Sequence, residues 1–131
     1  MATIIRTIDL DAPADAAWRL LEAPGEAARA FPGVLTDSHI DGDVRTVTFA
    51  GGLVARERIV TLDPEAGRIA YSVIEGRFSH HSAAMQVEAA GEGKCRLVWT
   101  SDFLPQEATA MVGPLMDQGL AAFKAVAEGR A

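Results

Sequence analysis

Hydrophobic and polar residues alternate in short segments over most of the chain and follow a helical period only near its C-terminal end. In residues 3–9, for example, Ile4, Arg6 and Ile8 share one face and Ile5 and Thr7 the other. This alternation is typical of a strand with one side toward a core. The chain as a whole contains seven such predicted strands, at residues 3–9, 34–40, 44–50, 53–62, 68–75, 80–89 and 95–103.

The links between the last six predicted strands are short and rich in glycine, aspartate and proline. Gly51-Gly52 forms one of them, and residues 63–67 form the next. Such residues favour tight turns, whereas parallel neighbours need connections of about a dozen residues or more. These strands are therefore expected to form an antiparallel meander.

Two short helices are predicted between the first and second strands. Pro13 suits the first position of a helix, and Asp15 lies in the first turn, where the helix dipole favours an anion. These residues predict a helix over residues 13–22. A second short helix is expected over residues 26–30, before the chain-breaking Phe31-Pro32-Gly33.

A long amphipathic helix is predicted over residues 105–128, where apolar residues fall on one arc of a helical wheel. Pro114 lies inside this segment and removes a backbone hydrogen bond, so a kink or a start near this residue is expected. The arc consists of Ala108, Met111, Val112, Leu115, Met116, Gly119, Ala122, Phe123 and Val126.

The order of these elements predicts a single α+β domain over residues 1–131. A curved sheet with one apolar face and one long amphipathic helix bury their apolar sides against each other. The expected architecture is a seven-stranded antiparallel sheet on a long C-terminal helix, with two short helices between strands 1 and 2. The content of 49% hydrophobic and 23% charged residues is that of an ordinary globular protein.

Charge and cysteine content exclude several classes of function. Twelve Lys and Arg against 18 Asp and Glu give a net charge of −6, which argues against nucleic acid and anionic membranes as partners. The single Cys95 excludes an internal disulfide and a cysteine-based zinc site, and it fits a cytoplasmic location. Neither a signal-peptide pattern nor an apolar run of about 18 residues is present, so stable membrane insertion is not expected.

Sequence motifs for metal, phosphate or nucleophilic chemistry are missing. The three histidines lack the spacing of metal ligands. No glycine-rich phosphate loop precedes a helix, and no GxSxG motif occurs. We therefore expect neither a metal nor a cofactor, and we expect the scattered arginines, Arg45 among them, to lie at the surface.

Several short stretches, distributed over nearly the whole chain, carry a family resemblance through their order and spacing. They are Asp11-Ala12-Pro13 with Trp18, Phe31-Pro32-Gly33-Val34, Gly51-Gly52 with Glu57-Arg58 and Leu62-Asp63, Tyr71-Ser72, Trp99-Thr100 with Phe103, and Gly119-Leu120 with Phe123-Lys124. The chain thereby resembles the polyketide cyclase/dehydrase and lipid-transport superfamily, in particular its bacterial cyclase-like branch. These are helix-grip proteins, which include START domains, birch-pollen-type allergens and plant abscisic-acid receptors.

The resemblance implies a cavity between the sheet and the last helix that holds an apolar or amphipathic small molecule. It also implies which side chains line this cavity and bind the ligand. The expected ligand-binding residues are Glu57, Tyr71, His81, Trp99, Phe103, Met111, Leu115, Met116 and Gly119.

Glu57 and His81 are the two candidates for acid–base chemistry. Alternation places Glu57 on a face with apolar residues, where it would orient a ligand or act as a base. Alternatively, Glu57 pairs with Arg45, Arg56 or Arg58 at an edge of the sheet. His81 also points inward, either as a hydrogen-bonded wall residue or as a catalytic group, in a position that many relatives fill with tyrosine.

Three functions remain open at this point. The first is binding or transport of a small hydrophobic molecule such as a lipid, a quinone or a polyketide-like compound. The second is a cyclase, dehydratase or isomerase that uses Glu57 and His81. The third is a closed core that acts through its surface, which an enclosed space of at least about 300 Å³ would argue against. The oligomeric state is expected to be monomer or homodimer.

Overall fold

The structure, a computed structural model, describes residues 2–130 and contains a single curved sheet of seven strands. The strands are β1 (Ala2–Leu10), β2 (Leu35–Asp41), β3 (Val44–Phe49), β4 (Val54–Asp63), β5 (Arg68–Glu75), β6 (His80–Ala89) and β7 (Cys95–Leu104). Their order in the sheet is β1-β7-β6-β5-β4-β3-β2, and every pair is antiparallel. The predicted meander is confirmed, and the first strand joins the last.

The helices lie where the sequence predicts them, and the α+β helix-grip architecture is confirmed. They are α1 (Ala14–Leu21), α2 (Ala27–Ala30) and α3 (Thr109–Ala127), with single 3-10 turns at Pro24–Glu26 and Gln106–Ala108. Helix α3 runs through Pro114, so the prediction of a late start near this residue is wrong. Proline removes only one hydrogen bond there, while Val112 and Met116 on either side of it are buried and hold the segment against the sheet.

The core between the sheet and the helices has two parts that meet at Trp99. The larger part contains Leu97 and Phe123, both fully buried, and joins α1, α2 and the C-terminal half of α3 to the sheet. The smaller part lies under the N-terminal half of α3. It consists of Ile4, Phe103, Val112 and Met116.

The last turn of α3 is fastened to the end of β1 by charged hydrogen bonds. The Lys124 ammonium group donates to the Asp9 carbonyl oxygen at 2.8 Å and to Glu128 at 2.6 Å. Glu128 also accepts the Asp11 backbone N–H at 2.7 Å. These bonds, first of all that from Lys124, lower the pKa of Glu128 to about 2. The carboxylate form of Glu128 is therefore the one that fixes the helix.

Candidate functional site

A cavity of about 120 Å³ lies between α3 and the inner face of the sheet, the face that α3 covers. Typical ligand pockets reach at least about 300 Å³, so the volume of this cavity does not argue against the third alternative, a closed core that acts through its surface. Side chains from β3 to β7 form one wall, and the N-terminal half of α3 forms the other. Most of these side chains are apolar. The apolar residues of the sheet and of the segment before β2 are Phe31, Val34, Leu35, Val47, Phe49, Ala55, Val73 and Met85.

The cavity reaches the surface at one end, which we call the mouth. Its sides are Leu53 just before β4 and Val54 at the start of β4, Phe78 in the β5–β6 link, and Met111 and Leu115 on α3. Leu53 and Val54 are 37% and 50% exposed, which is unusual for adjacent large apolar residues. The mouth is therefore mainly apolar, and its charged residue is Arg77, which is exposed beside Phe78.

Arg45 and Glu57 form a buried ion pair inside this apolar wall. They lie opposite each other on β3 and β4, and Arg45 Nε donates to Glu57 Oε1 at 2.7 Å. Each side chain is only 9% exposed. The Arg45 guanidinium also lies 4.9 Å from the centre of the Tyr71 ring, in a cation–π arrangement. Glu57 thus both faces the cavity and pairs with an arginine, and the expectation that Arg45 lies at the surface is wrong.

Tyr71 and Trp99 hydrogen-bond to each other across the wall of the cavity. Trp99 Nε1–H donates to the Tyr71 hydroxyl oxygen at 3.1 Å. Burial above all, and then the negative charge of Glu57, raise the pKa of Tyr71 well above its usual range. The Tyr71 hydroxyl therefore keeps its proton and can donate it to a hydrogen-bond acceptor.

His81 is a neutral side chain in the cavity wall, and both of its ring nitrogens face hydrogen-bond partners. Its Nδ1 accepts the Val73 backbone N–H at 3.1 Å, so the ring proton of the neutral imidazole resides on Nε2. Nε2–H faces the Ser101 hydroxyl at 3.4 Å. Burial is the main reason that the pKa of His81 falls to about 4. His81 therefore has no free lone pair with which to activate Ser101.

Gly119 lies in the cavity wall because Trp99 packs directly against it. A Cβ at this position would lie 2.9 Å from Trp99 Cζ3 and 3.2 Å from Cη2. Such distances are too short for carbon atoms, so only glycine allows this approach without a shift of the ring. The absence of a side chain at Gly119 thus accommodates Trp99, and it does not leave space for a ligand.

The structure brings eight of the nine expected ligand-binding residues to the cavity: Glu57, Tyr71, His81, Trp99, Met111, Leu115, Met116 and Gly119. Phe103 is the exception, because its ring is fully buried between Ile4, Phe78 and α3 in the smaller part of the core. Sequence reasoning named Arg45 only as one of three possible partners of Glu57, and it missed Ser101. For Ser101 the signal was available, since it alternates in phase with Trp99 on β7.

Metal coordination by a side-chain cluster and membrane crossing by a helix each require features that residues 2–130 lack. No group of three or more His, Cys, Asp and Glu side chains is arranged there to hold a metal ion. None of the helices in the same range combines the length and apolar character that crossing a membrane requires.

Comparison with known proteins places the sequence in a family. A family model described as polyketide cyclase / dehydrase and lipid transport matches residues 1–128. None of the curated proteins matches the sequence.

Solved structures share the fold at low sequence identity. An uncharacterised protein from Bacillus thuringiensis has a TM-score of 0.87 at 18% identity, over 95% of this chain and 98% of that one. A protein from Thermobifida fusca has a TM-score of 0.82 at 25% identity, over 99% and 95%. Norcoclaurine synthase from Thalictrum flavum, in complex with dopamine and hydroxybenzaldehyde, has a TM-score of 0.74 at 20% identity, over 95% and 85%.

Proposed function

The chain belongs to the family of polyketide cyclases, dehydrases and lipid-transport proteins, and we propose that it binds or carries a small hydrophobic molecule in the cavity under α3. The buried Arg45–Glu57 pair carries this proposal. A buried ion pair adds little to stability compared with apolar residues of the same volume, so packing alone does not account for it. Small-molecule sites, in contrast, typically combine an apolar wall with a few polar groups that orient the ligand.

The size of the cavity limits the part of the ligand that it can enclose. An engineered protein cavity of about 150 Å³ binds benzene, and the cavity here is about 120 Å³. The enclosed part of a ligand is therefore at most one ring or a short chain. We therefore favour the ring of a quinone or a polyketide-like compound over a bulky lipid, with any remaining part of the ligand leaving through the mouth.

Binding is favoured over the alternative, a cyclase, dehydratase or isomerase. Acid–base catalysis needs a group that accepts a proton from the substrate. His81 uses Nδ1 to accept the Val73 N–H, and Glu57 is held by Arg45. The proposed setting is the cytoplasm, where the buried Cys95 stays reduced.

Titration of the isotope-labelled protein with α-methylstyrene, followed by NMR, tests the proposal. We expect saturable shifts concentrated at cavity residues such as Val73, Met85 and Met116. Leu115→Trp narrows the mouth and is expected to weaken binding at least about tenfold, or about 1.4 kcal/mol. Ala121→Trp, at an exposed position of the same helix, is the control and should leave the dissociation constant unchanged. Shifts that do not saturate, or equal losses in both variants, would contradict a binding cavity.

A further inference from the structure

The two hydroxyl groups in the cavity wall share one arrangement, in which the oxygen accepts a hydrogen bond and the proton remains unused. The Tyr71 hydroxyl accepts Trp99 Nε1–H, and the Ser101 hydroxyl faces His81 Nε2–H. Within residues 2–130, neither hydroxyl has an acceptor for its own proton. Tyr71 and Ser101 are only 6% and 2% exposed.

Each oxygen already has its donor, so the role of each hydroxyl toward the cavity is fixed. A hydroxyl group has one donor and two acceptor lone pairs. The neighbouring N–H occupies one of these two lone pairs, and the interaction that each hydroxyl lacks is donation of its O–H proton. A buried donor without an acceptor is unfavourable, so a ligand that supplies an acceptor atom gains affinity at both positions.

The charged groups buried in the wall favour a ligand without net charge, and the third charged residue that lines the cavity, Arg77, is exposed in the β5–β6 link. Glu57 balances the charge of Arg45 at 2.7 Å, and both side chains are buried. An anionic ligand would have to compete with Glu57 for Arg45, and a cationic ligand would have to compete with Arg45 for Glu57. Desolvation of the ligand's own charge in an apolar cavity adds to this cost.

We propose that the cavity selects a neutral compound with one ring or a short chain by its carbonyl oxygens, which receive the hydroxyl protons of Tyr71 and Ser101. This inference rests on the proposed binding function and adds the chemical class of the ligand. Quinones, aryl ketones and pyrones have this chemistry. Hydrocarbons of the same shape lack the acceptor, and carboxylates carry a charge that the wall does not accommodate.

The test compares acetophenone with α-methylstyrene, which has the same shape but a methylene group in place of the carbonyl oxygen. Dissociation constants for both are measured by NMR titration of the wild type, of Tyr71→Phe and of Ser101→Ala. Acetophenone has a single carbonyl oxygen, so at least one of the two variants is expected to bind it about two- to twelvefold more weakly, as loss of one hydrogen bond predicts. Binding of α-methylstyrene should change less than about twofold, because general changes of the cavity affect both probes.

In Tyr71→Phe and Ser101→Ala, an indole or imidazole N–H loses its acceptor, which can lower the stability of the variant. A second measurement avoids this effect because it uses the wild type alone. The carbonyl ¹³C signal of labelled acetophenone bound to the wild type should move downfield from its position in hexane, as donation to the oxygen requires. The proposed ligand class would be wrong if the variants lost equal affinity for both probes, or if the carbonyl signal did not shift. In either case the proposed binding function would still stand. If the wild type binds neither probe, both proposals fail.

Discussion

Replacing Glu57 by glutamine should strongly destabilise the protein, because it leaves the Arg45 guanidinium charged and buried. The two groups form a hydrogen-bonded ion pair at 2.7 Å, and each side chain is 9% exposed. Glutamine has nearly the same shape and can still accept a hydrogen bond from Arg45 Nε. The change therefore removes the opposite charge and little else.

The expected loss follows from the burial of the pair. Breaking a buried ion pair costs about 3–5 kcal/mol. At about 2.1 cal/mol/K per residue, the unfolding entropy of the 131-residue chain is about 0.28 kcal/mol/K. The melting temperature should accordingly fall by about 11–18 °C. Replacing both partners, Arg45→Met with Glu57→Leu, should recover most of this loss, since apolar residues of similar volume are as stable as the pair or more so.

An ion pair between β4 and β5 offers a matched control at the surface. Arg56 and Glu75 also lie 2.7 Å apart, but their side chains are 48% and 67% exposed. Glu75→Gln should lower stability by less than about 1 kcal/mol, because water screens the charge that remains. Calorimetry of the wild type, Glu57→Gln, Glu75→Gln and the double variant decides the matter. Equal melting temperatures for the two single variants would refute the argument from burial.

Three further variants test other parts of the structure. Gly119→Ala should destabilise the protein by about 1–3 kcal/mol, because the added Cβ overpacks against the indole ring of Trp99. Gly113→Ala, whose Cβ would have its nearest contact at 3.7 Å, should stabilise it by about 0.5–1 kcal/mol. Urea unfolding that ranks the two variants the other way would contradict this. Burial lowers the pKa of His81 to about 4. The contribution of the neutral imidazole to stability is therefore fully present above about pH 6.5, and it is lost as the pH falls toward 4. The ring signals of His81 should stay constant from pH 8 to 6, and a titration midpoint near 6.5 would rule this out. The hydrogen bond from Lys124 lowers the pKa of Glu128 to about 2, so its contribution is present above about pH 4.5 and lost toward pH 2. Glu128→Gln should lower the melting temperature at pH 7 and have no effect at pH 2; an equal effect at both would mean that charge is unimportant there.

The strands and turns could be predicted from the sequence because the signals are local. Glycine, proline and aspartate end each segment, and most predicted bounds differ from the structure by one residue or none. Helix α3 shows the limit of such signals. A proline in the second turn argues against a helix locally, but burial of Val112 and Met116 on both sides of it outweighs the loss of one hydrogen bond.

From the sequence, the site could be predicted only in those features that depend on alternation along a single strand. Alternation places Phe103 on the same face as Trp99, but it does not say that Ile4 and α3 cover the end of β7 and bury Phe103 beneath them. The arginine that pairs with Glu57 depends on the register of β3 against β4. Three arginines were possible from the sequence, and only the pairing of the strands selects Arg45.

The position of β1 in the sheet has a consequence for how the chain assembles during synthesis. β1 precedes the other strands of this sheet along the chain, yet within residues 2–130 its only strand partner is β7, with Ala2 opposite Phe103. All other strands pair with a neighbour along the chain, so they can form hairpins as they emerge. β1 therefore stays without its partner until β7 has been made, and its apolar residues remain open to association with other chains in that interval. We therefore expect the meander to form before β1 completes the sheet, so β1 is the strand of this sheet that waits longest for its partner.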